Sequence, residues 1–204
     1  SDPSLSPDGK YFAVVQSIDG MPAAFIYPVG SSTPAILKSD QWLVRGVQWV
    51  KPDRLLLTLK VNVRASGDGR LRTWYRYATV KPDGTGFQLL MSNDSGYQYN
   101  ISTGGADDID LDDPRYIYMS LAAWAGQGQR LRDSVMRVDL QTGNAYKSMV
   151  AMPETVQWIM DGHGNVVARV DRLQDPLRES LHIYDGKDWT AAGDFDATAD
   201  RGAD

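Results

Sequence analysis

Cysteine is absent from the sequence and histidine occurs twice. The first absence excludes disulfides and thiolate metal sites and leaves the redox compartment open. The second leaves too little imidazole for a histidine-built metal centre. No run of about 18 apolar residues occurs, so nothing reads as a membrane-spanning helix. No segment keeps a helical period over a dozen residues. Gly-x-Ser-x-Gly, the turn that presents the nucleophile in α/β-hydrolases, occurs nowhere. Positive charge is also scarce: 21 Lys and Arg stand against 26 Asp and Glu, a net charge of −5. Nucleic-acid binding needs a concentrated positive surface, so that class of partner is set aside.

What is present is turn chemistry. Ser6-Pro7-Asp8-Gly9 combines a residue with fixed φ, a carboxylate that bonds its own backbone, and a glycine free to take positive φ. Lys10-Tyr11-Phe12-Ala13-Val14-Val15 follows and reads as a strand. The same succession of turn and strand recurs at Lys51-Pro52-Asp53, at Asp112-Asp113-Pro114 and at Asp161-Gly162-His163-Gly164. The markers Pro7, Pro52, Pro114 and Gly164 are spaced by 45, 62 and 50 residues. Val47-Gln48-Trp49-Val50 before the second turn returns almost letter for letter as Val156-Gln157-Trp158-Ile159 before the fourth.

Repeats near 40–50 residues with about four strands each are the mark of β-propeller blades. The sequence therefore predicts an all-β fold, a partial β-propeller of about four four-stranded antiparallel blades. Their limits fall near 3–38, 42–91, 99–150 and 155–192. A β-sandwich of about a dozen strands is the alternative architecture, and the recurring Val-Gln-Trp phase argues against it. In a blade, the strand before the turn lies innermost, which makes Trp49 and Trp158 packing wedges between blades. Ser1-Asp2-Pro3 begins just before a repeat turn and Asp196 to Asp204 forms no finished element, so both ends read as cuts. Four blades would leave open edges, and open edges predict self-association.

The segments Leu5 to Val15, Val44-Arg45-Gly46-Val47-Gln48-Trp49, Ile109 to Ile117 and Asp161 to Val166 resemble the N-terminal propeller of prolyl oligopeptidase family serine peptidases. The nearest type is the bacterial acylaminoacyl-peptidase or dipeptidyl-peptidase. The resemblance covers most of the chain in order. It implies a propeller stacked on an α/β-hydrolase domain that lies outside this chain and carries a Ser-Asp-His triad. The propeller would restrict peptide access to that triad. The resemblance thus implies two partners, a hydrolase domain of the same polypeptide and a peptide substrate. With the nucleophile turn missing, it brings no catalytic residue to this chain. The compartment stays open between periplasm and cytoplasm. A periplasmic or extracellular binding propeller that scaffolds protein complexes uses the same turns and is the alternative function.

No catalytic, cofactor-binding or metal-ligating residue is assigned. His163 sits in a turn and reads as exposed, His182 sits in a strand before Ile183-Tyr184, and without a nucleophile turn neither reads as catalytic. Asp107, Asp108, Asp110, Asp112 and Asp113 form an acidic run of the kind calcium uses. It lacks the EF-hand glycine and terminal glutamate, and reads as water-facing turn acids. Lys60, Arg64, Arg70, Arg72 and Arg76 form a basic stretch, read as a solvated hairpin rather than a contact surface. Gly67-Asp68-Gly69 is too short for a phosphate loop. Asn93-Asp94-Ser95 and Asn100-Ile101-Ser102 match the glycosylation pattern. Trp42, Trp74, Trp124 and Trp189 read as packing residues rather than sugar platforms.

Overall fold

A computed structural model describes residues 3–64, 69–93, 105–125, 130–174 and 177–195. Gly67-Asp68, Asp94-Ser95, Asn100-Ile101-Ser102, the Trp124 side chain and the stretch from 196 to 204 lie outside the described residues. All regular structure in the described residues is β, in fifteen strands.

The strands form four sheets in chain order. Blade I holds β1 (Ser4–Leu5), β2 (Tyr11–Ile18), β3 (Met21–Pro28) and β4 (Ala35–Leu37). Blade II holds β5 (Leu43–Lys51), β6 (Arg54–Arg64), β7 (Leu71–Val80) and β8 (Gln88–Leu89). Blade III holds β9 (Tyr116–Ala125), β10 (Arg130–Asp139) and β11 (Ala145–Met149). Blade IV holds β12 (Thr155–Met160), β13 (Val166–Gln174), β14 (Leu177–Tyr184) and β15 (Trp189–Phe195). Every sheet is an antiparallel meander with sequential neighbours. That is the blade unit of a propeller, and the chain is an all-β, partial propeller of four blades.

Blade III shows three strands among the described residues where four were expected, and residues 94–104, which fall in the expected blade, lie outside them. Where its innermost strand should lie, a single bridge joins Asp108 to Tyr118. Beyond that bridge the amides of Asp110 and Asp113 donate to the side chains of Asp108 and Asp110 instead of to a strand.

Blades pack face to face because alternate residues of each strand are apolar on both sides of the sheet. Between blades I and II, Ala13 and Ile26 meet Trp49, Leu55, Leu57 and Ala78. Between II and III, Leu56 and Tyr77 meet Ile117, Met119, Met136 and Val138. Between III and IV, Tyr118 and Val135 meet Trp158, with Trp189 at the margin. Each such leucine taken wholly from water contributes about 1.5–3 kcal/mol.

Trp49 and Trp158 are the expected wedges, 5% and 8% exposed. Each uses its indole N–H on the neighbouring blade, Trp49 donating to the Ser4 carbonyl at 3.1 Å and Trp158 to the Asp133 carbonyl at 2.8 Å.

Candidate functional site

The first turn sets the local pattern. Ser6 Oγ donates to Asp8 Oδ1 at 2.8 Å, and the Gly9 amide donates to the Ser6 carbonyl at 2.9 Å. The hydrogen bond from Ser6 holds the Asp8 carboxyl below its usual range. In the fourth turn Asp161 Oδ1 accepts from the amides of His163 and Asn165 at 2.8 and 3.1 Å. These are turns in which a carboxylate closes the backbone loop. In an antiparallel meander such turns share one end of the sheet, and contacts between successive turns place those of blades II to IV on one common rim.

On that rim the turns of three blades meet around Lys51. This residue ends β5 and is 6% exposed. Its ammonium donates to the carbonyl oxygens of Asp110 and Asp113, each at 2.6 Å, and to that of Ile109. Burial pushes the Lys51 pKa down, and the carboxylates of Asp110, Asp113, Asp108 and Asp53 oppose that shift. Three carbonyls around one cation are a small ion cage, and here the cation is a side chain of the protein.

The acidic run is what forms the cage. Asp108 and Asp110 are 4% and 6% exposed, so the expectation of water-facing acids is corrected for these two. Asp108 Oδ1 accepts from the Asp110 amide at 2.6 Å, and Asp110 Oδ1 from the Asp113 amide at 3.1 Å. Asp110 takes φ 47°, which curls the run and turns successive carbonyls inward. Asp108 Oδ2 crosses to blade IV and accepts from the amides of Gly162 at 2.8 Å and Gly164 at 3.3 Å. The Leu111 amide donates to the Gly162 carbonyl at 2.8 Å. Asp107, Asp112 and Leu111 remain exposed.

His163 closes the junction from outside. Its Nδ1 lies 2.8 Å from Asp112 Oδ2. The hydrogen bond and charge of Asp112 raise the His163 pKa, and Asp161 and Asp108 add to the shift. Its exposed position was expected, whereas the cross-blade pairing with Asp112 was not legible. His182 belongs to another cluster, within blade IV. Its Nε2 is 3.5 Å from Asp171 Oδ2, a carboxylate that also accepts from Arg169 at 3.0 Å and Thr155 at 2.8 Å. The guanidinium of Arg169 lies 4.4 Å from the centre of the Trp189 ring.

The other flagged residues separate. Arg64, Arg70 and Arg72 are exposed at the β6–β7 tip, on the rim opposite Lys51. Arg76 is buried and lies 4.5 Å over the Trp74 ring, so it is not part of that surface. Trp42 stacks on Phe87 at 5.8 Å, and Trp189 packs on Tyr184 at 4.7 Å. Asn93 exchanges hydrogen bonds with the Ala145 backbone at 2.7 and 2.9 Å, fastening blade II to blade III. Two grooves flank the junction. One of about 180 Å³ lies among Asp53, Arg54, Arg115 and Gln141, and one of about 380 Å³ among Met149, Asn165 and Tyr184. In the first, Arg54 pairs with Asp53 at 2.9 Å and Arg115 with Asp139 at 2.6 Å.

Among the described residues, no three His, Asp or Glu side chains are grouped to hold a metal ion. The arrangement acts as a clamp: an internal ammonium, a buried carboxylate and an exposed histidine pair lock the turns of three blades together.

No family model and no curated protein matches this sequence. Fourteen solved chains match it. Two are the AtxE2 isopeptidase in its apo form and a serine-to-alanine variant of it with Astexin3-dC4 bound. Each is 11% identical with a TM-score of 0.35, over 95% of this chain and 33% of the isopeptidase chain. The chain thus spans about a third of the length of those proteins.

Proposed function

We propose that this chain is a non-catalytic propeller module of a serine peptidase of the prolyl oligopeptidase family, and that it gates peptide access to a hydrolase domain outside the chain. One observation carries the reading. Each of the four segments that resemble the family falls in a different one of four consecutive antiparallel sheets: between the first two strands of blades I and IV, within the first strand of blade II, and ahead of the first described strand of blade III. The mechanism is steric. A rigid array of blades limits which peptides reach the buried site, and the hydrolase domain performs acyl transfer with its own nucleophile and oxyanion hole. The described side-chain partners of the two histidines suit a supporting role: His163 pairs with Asp112 across blades III and IV, and His182 lies near Asp171 within blade IV.

The test is incubation of the purified chain with chromogenic peptides and with a fluorophosphonate probe for activated serines. The reading expects neither turnover nor labelling. Hydrolysis that follows the chain through repeated purification would overturn it.

A further inference from the structure

The segment from Asp108 to Asp113 keeps its shape through hydrogen bonds in which Lys51 takes no part. Asp108 is bridged to Tyr118, whose amide donates to the Asp108 carbonyl at 2.8 Å. Asp108 Oδ1 accepts from the Asp110 amide, Asp110 Oδ1 from the Asp113 amide, and Asp113 Oδ1 from the Arg115 amide at 2.8 Å. The Leu111 amide is held by the Gly162 carbonyl of blade IV. These carboxylates are engaged by amides, and it is the carbonyl oxygens of Ile109, Asp110 and Asp113 that meet the ammonium.

We propose that residues 108–113 form a binding site for a singly charged cation, potassium or a primary ammonium, and that the Lys51 side chain is its resident ligand. The observation that points to a ligand is the occupant itself, a buried cation seated on three carbonyl oxygens. Backbone carbonyls aimed at one spot are the groups with which proteins replace the water shell of potassium. Calcium takes more oxygens, with carboxylates among them, and among the described residues no three acidic side chains are grouped for it. The surrounding charge suits a cation, since the carboxylates of Asp110, Asp113, Asp108 and Asp53 all favour the charged form of Lys51. Tethering has a consequence for the native chain. The cation arrives with blade II, so the junction of blades II, III and IV holds whatever ions surround it. The inference rests on the cage and not on the peptidase reading.

Lys51→Ala tests it. The substitution removes the ammonium and the stem beyond Cβ, which are the atoms of propylammonium, and leaves the carbonyls in place. Melting temperature is read against rising propylammonium chloride and, separately, potassium chloride. Tetramethylammonium chloride, too bulky for the cage and without an N–H, keeps the ionic strength constant. In tetramethylammonium alone the variant is expected to melt below wild type. Its melting temperature should then climb with the logarithm of either cation's concentration, as for a ligand that binds only the folded state. Wild type should stay flat throughout, and so should Lys51→Met, whose stem still fills the space. A Lys51→Ala curve that stays flat in both cations would overturn the site. An equal rise in wild type would reduce the effect to general salt and overturn it as well. A response to propylammonium alone would overturn the potassium site and leave one that requires N–H donors. If Lys51→Ala does not fold in tetramethylammonium, refolding yield in the same series is the readout, and no gain in yield with either cation would overturn the proposal.

Discussion

The ammonium of Lys51 lies 2.6 Å from the carbonyl oxygen of Asp110, 59 residues away in sequence. With the Ile109 and Asp113 carbonyls it fills the position that a metal ion would take in a loop of this composition. Millimolar calcium is therefore expected to leave the melting temperature unchanged. Lys51→Met removes the cation and leaves inward carbonyls without a donor. Lost charge-assisted hydrogen bonds and orphaned acceptors together cost about 3 kcal/mol. Urea denaturation of the variant reads that loss as a lowered midpoint. A midpoint equal to wild type would show that the cage is not structural.

The pH dependence has two opposed arms. Asp139 accepts from Arg115 and from the Gln141 amide, and these hold its pKa at about 2 against a usual 3.8. A lowered folded pKa stabilises above the unfolded value and is lost as pH falls through the folded one. Asp139 therefore contributes about 1–2 kcal/mol near neutrality that disappears between about pH 4 and pH 2. His163 works the other way. Its raised pKa favours the folded state below the unfolded value of 6.5 and is lost as pH rises through the folded value. Asp139→Asn should flatten the acid limb of the stability profile, and His163→Gln the limb above pH 6.5. NMR titration of His163 should show its pKa fall in Asp112→Asn.

Gly164 separates backbone strain from packing. It takes φ 80°, and a Cβ there would lie 2.7 Å from the Tyr118 ring. Gly186 takes φ 96° with nothing within 4 Å of such a Cβ. Both alanine variants pay about 1 kcal/mol for the left-handed backbone. Gly164→Ala adds an overpacking cost of about 1–3 kcal/mol at the contact between blades III and IV. Equal midpoints for the two variants would contradict that contact.

The blades were legible because their turns are. Pro7, Asp53 and Gly164 state turn geometry locally, and the strands between them need only β-branched and aromatic residues. The clamp was not legible, because its parts come from distant turns. Alternation of Ile109 and Leu111 with acids resembles an edge strand with wet carboxylates. The structure instead gives a curled segment whose Asp108 and Asp110 are consumed by backbone amides. A signal was available in the repeat itself. Lys51 follows Val47-Gln48-Trp49-Val50, where the fourth unit has Met160 after Val156-Gln157-Trp158-Ile159. A cation in one copy and an apolar residue in the other marks a buried charge that must have a partner.

The coding sequence that follows Asp204 tests the central claim most directly. The account predicts a Gly-x-Ser-x-Gly turn between a strand and a helix, followed in order by an aspartate and a histidine of a hydrolase domain. A reading frame that closes without that turn would contradict the peptidase reading and leave a propeller that binds other proteins.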